Sequence, residues 1–192
     1  MGTRGAYGFR VGGIDKVTYN HYDSYPSGLG RQIVEFINRS SIGELEEAGA
    51  NIVLVNESAT PTMEQIMECG KYFDSGVSTG NIEDWYCLLR KMQGDLTPYK
   101  EGFKYMIDSS GFLSNSLFCE WAYIINLDSQ KLEVYKGFNK DIHAKGRYAS
   151  VDLNGKEYAG VRLIDTVSFD ILDRMSNIEM DILIDRRGNL EL

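Results

Sequence analysis

The sequence predicts an α+β fold. Three observations carry it: β-type runs near both ends of the chain, apolar residues at helical spacing through the middle, and a composition able to bury a core without covalent staples. Hydrophobic residues make up 43% and charged residues 25% of the 192, an ordinary globular balance far from that of disordered chains. The length fits one domain over 1–192, and no repeat, low-complexity tract or linker divides it.

The elements follow in order. Arg4 to Val11 is a strand, Gly12-Gly13 a tight turn, and Lys16 to Asn20 the returning arm of a hairpin. His21 to Gly30 is too rich in turn formers for regular structure and leads into a helix with Leu29, Ile33, Phe36 and Ile37 on one face; Ser27 is its expected N-cap. A short helix around Glu44 to Ala48 carries a solvated run of Glu44, Glu46 and Glu47, and Ile52 to Val55 is a compact strand. Thr60-Pro61 is expected to cap a helix bearing Met63, Ile66 and Met67. Asn81 and Asp84 resemble a capping box before Trp85, Tyr86 and Leu89, and Thr97-Pro98 starts another short helix.

From Phe118 the pattern alternates. Trp121, Tyr123, Ile125 and Leu127 oppose Ala122, Ile124 and Asn126, and since both sets are largely apolar the strand should be central and covered on both faces. Asp128 to Gln130 turns the chain into Leu132 to Tyr135. Asn154-Gly155 signals a second hairpin between Ala149–Leu153 and Glu157–Ile164. Ser168 is placed to cap a last helix with Phe169, Leu172 and Met175, before a strand around Met180 to Ile184.

Charge and composition exclude several functions. A formal net charge of -8 repels duplex nucleic acid, although a few convergent cations can still reverse the potential inside one pocket. The three cysteines, Cys69, Cys87 and Cys119, are odd in number and match no metal or disulfide spacing, which predicts small core residues and a reducing, cytoplasmic setting. No signal peptide, lipidation motif or apolar run near the ~18 residues of a membrane span is present, so no membrane association is expected. With two histidines far apart and no nucleotide-binding glycine motif, neither a metal nor a cofactor is predicted.

Functional side chains are densest between Tyr19 and Ser27. His21 and Asp23 suit a general base with an orienting carboxylate, Ser24 an assisting hydroxyl, and Tyr19, Asn20, Tyr22, Tyr25 and Ser27 a clamp on a polar ligand. At the strand start, Arg4 can take a carboxylate or phosphate and Thr3 is a candidate nucleophile. His143, with Lys140, Asp141, Lys145 and Arg147, is either a solvated basic surface or a mobile cover over an anionic ligand.

The blocks Arg4–Arg10, Tyr19–Gly30, Glu120–Asp128 and Leu132–Gly137 resemble uncharacterised proteins of phages, bacteria and fungi that are similar to N-terminal-nucleophile hydrolases. That resemblance implies a layered αββα sandwich whose first strand begins at the active site, with Asn and Asp delivered to it by the next hairpin edge. Such hydrolases expose Cys, Ser or Thr as the first residue, whereas this chain opens Met1-Gly2, with Thr3 next. Three readings stay open: a hydrolase of a small polar or nucleotide-like ligand, a non-catalytic protein sequestering such a ligand, as in phage counter-defence in the host cytoplasm, and an acidic protein-interaction module. The sequence is also compatible with a homo-oligomer.

Overall fold

The structure is a computed structural model and describes residues 2–141, 143–149 and 157–172. Its core is a mixed sheet of five strands in the order β2-β1-β5-β6-β7. The strands are β1 (Gly5–Val11), β2 (Ile14–Asn20), β5 (Trp121–Asn126), β6 (Lys131–Lys136) and β7 (Arg162–Ser168). β1 and β5 run parallel, and every other pairing in this sheet is antiparallel. Between β2 and β5 lie α1 (Arg31–Asn38), α2 (Ile42–Asn51), β3 (Val53–Val55), α3 (Met63–Cys69), α4 (Trp85–Leu88), α5 (Thr97–Lys100) and β4 (Tyr105–Ile107), with β3 and β4 forming a separate parallel pair. The described chain ends in α6 (Phe169–Leu172).

The α+β class is as expected, and so is the central, doubly covered position of β5. One face of the sheet, with Tyr7, Phe9, Tyr123, Ile125, Leu132 and Val134, packs against α1, α2 and the segments up to β4. The other face, with Ala6, Val17, Ala122, Ile124 and Tyr135, meets Leu113, Cys119 and Val161. Irregular chain covers that second face, and among the described residues there is one five-stranded sheet.

Local chemistry explains how the first layer attaches. Gly12 and Gly13 turn the hairpin with φ of 58° and 78°, which glycine adopts without a Cβ clash. Their amides donate to the Asp128 carboxylate at 2.7 and 2.9 Å, joining the two turns at this end of the sheet. Lys16 reaches the end of α2 and donates to the carbonyls of Gly49, Ala50 and Ile52 at 2.8–2.9 Å, satisfying acceptors the helix leaves open. Tyr7, fully buried, donates to the Met92 carbonyl at 3.0 Å and accepts the Gly94 amide at 2.9 Å.

Several caps differ from expectation. Ser27 lies inside a π-helical turn, Pro26–Gly30, that precedes α1 without a side-chain cap. Pro26 fixes the start of that turn, which leaves no N-cap role for Ser27. Thr62, not Thr60, caps α3, because only Thr62 has the reciprocal partner Gln65 three residues on. Asp84 caps α4 directly, while Asn81 bonds the Glu83 amide in a local turn. Glu44 is exposed yet completes a capping box with Ser41 at the start of α2. In the run from Glu157 the strand, β7, begins at Arg162 and pairs with β6; residues 150–153 of the expected partner arm lie outside the described residues. Ser168 ends that strand. Asn154-Gly155, Met175 and the strand around Met180 lie outside the described residues.

Arg147 is also not a solvated cation. It bridges Asp15 with Nε and Nη2, both at 3.0 Å, and Glu133 with Nη1 at 2.7 Å. Arg10 and Tyr148 donate to the same Asp15 carboxylate at 2.9 and 2.7 Å, and Asn126 and Tyr135 donate to Glu133. This network closes the second face, so Arg147 belongs to the fold rather than to a ligand cover. Lys140 is committed elsewhere, to Glu157 at 2.6 Å.

Two stability measurements follow. Tyr7→Phe removes a donor and strands the Gly94 amide, so urea unfolding should show a loss of about 1–3 kcal/mol; an unchanged midpoint would disprove the bonding role. Desolvation works against the Asp15 carboxylate, but bonds from Arg147, Tyr148 and Arg10 outweigh it and hold its pKa below the ordinary 3.8. Its stabilisation is therefore present above that value and lost as pH falls through the folded-state pKa. Asp15→Asn should melt earlier than the parent at neutral pH, with the gap closing in acid. A gap independent of pH would contradict this.

Candidate functional site

β2 is an edge strand, and its outer side is only partly covered. Ser109, just after β4, donates to the Val17 carbonyl at 2.8 Å. Beyond that point the end of β2 faces a cleft of about 630 Å³, within the usual size of a small-molecule site. Aromatic rings of Tyr19, Tyr86 and Phe112 line it together with His21, Glu57, Gln93, Asp108 and Asn115.

Phe112 is set edge to face against Tyr19, and Tyr86 is tilted to it by 41°. Phe112 meets Tyr19 at 5.1 Å between centroids, and Tyr86 lies 6.4 Å from Tyr19. Tyr86 comes from α4, and Phe112 from the 3-10 turn Ser110–Ser114. The Tyr19 hydroxyl and His21 Nδ1 are 2.7 Å apart. Because a hydroxyl both donates and accepts, this bond serves either neutral tautomer, leaving Nε2 as an acceptor in one and a donor in the other. Partial burial, then the charges of Arg90 and Arg4, lower the His21 pKa below 6.5, so the neutral ring prevails at neutral pH. Burial is also the main cause that raises the Tyr19 hydroxyl, keeping its proton in place. Partial desolvation followed by the charge of Asp84 pushes the Glu57 carboxyl upward.

The structure brings the beginning of the chain to the Tyr19–Ser27 loop. The Ser24 amide donates to the Thr3 carbonyl at 3.1 Å. β1 and β2 pair Gly5 with Asn20, and one further step in that register sets Arg4 opposite His21. The Arg4 guanidinium rests 4.8 Å over Phe118. Tyr22 is exposed, packs edge-on to His21 at 4.2 Å, and carries Arg90 over its ring at 5.4 Å.

Other expected residues sit elsewhere. Asp23 has φ 53° and faces a smaller hollow of about 200 Å³ with Gln32, Arg90 and Gly94; the partner at His21 Nδ1 is Tyr19, not Asp23. Ser24 is fully buried and accepts from Asn20 Nδ2 at 2.8 Å. Asn20, itself buried, also donates to the Tyr22 carbonyl, so these two side chains brace the loop from inside. Tyr25 and Ser27 are exposed and outside the cleft lining. Thr3 is half-buried, and its recorded bond is through the backbone.

The far wall was not anticipated from sequence. Tyr86 and Arg90 stand at helical i,i+4 spacing, and the guanidinium lies 5.8 Å from the Tyr86 ring, a pairing that spacing alone could suggest. Glu57, Gln93, Asp108, Phe112 and Asn115 come from turns, and no periodicity marks them. All three cysteines are free and buried, as expected. Burial pushes the Cys69 thiol to about 12 and raises Cys119 as well, which suits core residues. Among the described residues no group of His, Cys, Asp and Glu is arranged to hold a metal ion, and no helix is long and apolar enough to cross a membrane.

Comparison with protein-family models, curated proteins and solved structures finds no match for this chain.

The imidazole gives a direct measurement. The NMR titration midpoint of His21 should lie below 6.5, and Arg90→Gln should move it upward by removing a nearby positive charge. A midpoint unaffected by that substitution would place Arg90 too far away to act on the ring.

Proposed function

We propose that this chain binds a small planar polar ligand of the nucleobase or nucleoside type in the cleft beside β2. The observation that carries the reading is the composition of the cleft wall, which combines the rings of Tyr19, Tyr86 and Phe112 with the polar side chains of Glu57, Asp108, Gln93 and Asn115. Rings supply stacking surface, worth about 1–3 kcal/mol per base. Carboxylates and amides read the N–H and C=O groups at a base edge. A protein that sequesters a nucleotide signal, as in the phage counter-defence role, would need this much and no catalysis.

Hydrolysis is the second reading, favoured by the Tyr19–His21 bond at the cleft wall. A neutral imidazole with Nε2 unpaired in its tautomer can accept a proton from water as general base, while the Tyr19 hydroxyl accepts from Nδ1 and fixes the ring. The N-terminal-nucleophile arrangement, with its αββα layering, belongs to this reading; what supports it is that the segment before β1, with Thr3, lies beside the His21 loop. Asp23 and Ser24 have no part in it, since one faces another hollow and the other is buried.

Calorimetric titration with adenosine, guanosine, cytidine and uridine should find saturable binding for at least one, and Tyr86→Ala should weaken it about tenfold or more. No heat from any nucleoside, or a Tyr86→Ala variant that binds like the parent, would remove the cleft as a base site. Chromatography of the same mixtures separates the two readings: intact nucleoside or nucleotide supports sequestration, and product lost on His21→Ala supports hydrolysis.

A further inference from the structure

We propose that Arg4, set opposite His21 by the β1–β2 register, and Arg90, which lies over the neighbouring Tyr22 ring and lines the smaller adjoining hollow, form a subsite beside His21 for the phosphoryl group of a nucleotide whose base lies in the cleft. This rests on the reading of the cleft as a base site and adds the charge and orientation of the ligand.

Arg4 and Arg90 are half-buried, and the nearby carboxylates are engaged otherwise: Glu120 accepts the Arg4 backbone amide at 3.3 Å, and Asp23 shares the smaller hollow with Arg90 without pairing to it. Among the described residues neither has a carboxylate within salt-bridge reach. Arg4 lies on the Phe118 ring, and Arg90 lies between Tyr22 and Tyr86 with Nη1 bonded to the neutral Gln93 amide. Aromatic faces and a neutral acceptor orient a guanidinium without neutralising it, leaving donors for an oxyanion. In a chain of net charge -8, two such cations beside one neutral imidazole create a local reversal of potential.

Orientation follows from the lining. The cleft wall contains Glu57 and Asp108 and neither Lys nor Arg. A phosphate pushed inside would meet acidic groups, whereas one held outside the lining, beside His21, meets Arg4, Arg90 and, when Nε2 carries its proton, a donor from His21. The base edge, with its N–H donors, then faces the acidic groups. Binding an anion there should also raise the His21 pKa, because the imidazolium gains a counter-charge.

The test is titration of the full chain with inorganic phosphate at ionic strength matched by sodium chloride, following the two imidazole signals. His21 should move saturably while His143, the other histidine, does not follow. Arg90→Gln and Arg4→Gln should each weaken the response about tenfold, and the double variant should abolish it. Unperturbed amide spectra confirm that each variant is folded. AMP should bind the parent more tightly than adenosine, with that advantage lost in the double variant. A His21 signal that phosphate moves no further than matched chloride, or a double variant that responds like the parent, overturns the subsite. Adenosine binding without any phosphate response would leave the base cleft standing and the subsite refuted. Phosphate binding with no nucleoside binding would do the reverse.

Discussion

The parallel pairing of β1 with β5 is the constraint from which the rest of the molecule follows. A parallel neighbour cannot be reached by a tight turn, so the chain between β2 and β5 must cross over. Here the crossover holds α1 to α5 and the β3–β4 pair. Those elements cover one face of the sheet, since Tyr7, Phe9, Tyr123 and Ile125 present an apolar surface to them. The same pairing fixes β1 as an inner strand and leaves β2 at the edge. The cleft exists because β4 and the Ser110–Ser114 turn cover only part of that edge. Its walls are thus the end of the crossover on one side and the hairpin on the other.

The polar groups divide by location. At the turn end of the hairpin, Asp15, Glu133, Arg10 and Arg147 neutralise one another through ion pairs and hydrogen bonds that also engage Asn126 and Tyr135. At the opposite end, Arg4 and Arg90 are held by rings rather than carboxylates. A satisfied network of the first kind serves closure of the fold, because its donors have little left to offer. Unneutralised cations have no such role in packing, and that contrast separates the structural end of the sheet from the end open to chemistry.

Much of the frame was legible in the sequence. Alternation in 121–127, the Gly12-Gly13 turn and the 29–37 periodicity each express a local preference that the tertiary structure keeps. Helix starts were read less well, because several hydroxyl and carboxamide residues near each start compete and reciprocal bonding selects one, as Thr62 with Gln65 shows. The near side of the site was legible for a similar reason: Tyr19 and His21 are two apart on an edge strand and its exit, so they share a face. Its far side was not. Glu57, Tyr86 and Phe112 are remote in sequence and meet only through the crossover, which no local pattern encodes. Arg147 was misread because its partners, Asp15 and Glu133, lie on two distant strands.

Synthesis order gives the crossover a further consequence. The hairpin of β1 and β2 leaves the ribosome well before β5, and the inner side of β1 has no neighbour until Asn126 has been made. At about 5–20 residues per second, that interval lasts on the order of ten seconds. Throughout it, the nascent chain carries an unpaired edge bearing Ala6, Tyr7 and Phe9, residues that end up buried. An unpaired edge of this kind is open to pairing with other chains, and slower elongation ahead of β5 would lengthen the period for which it is exposed.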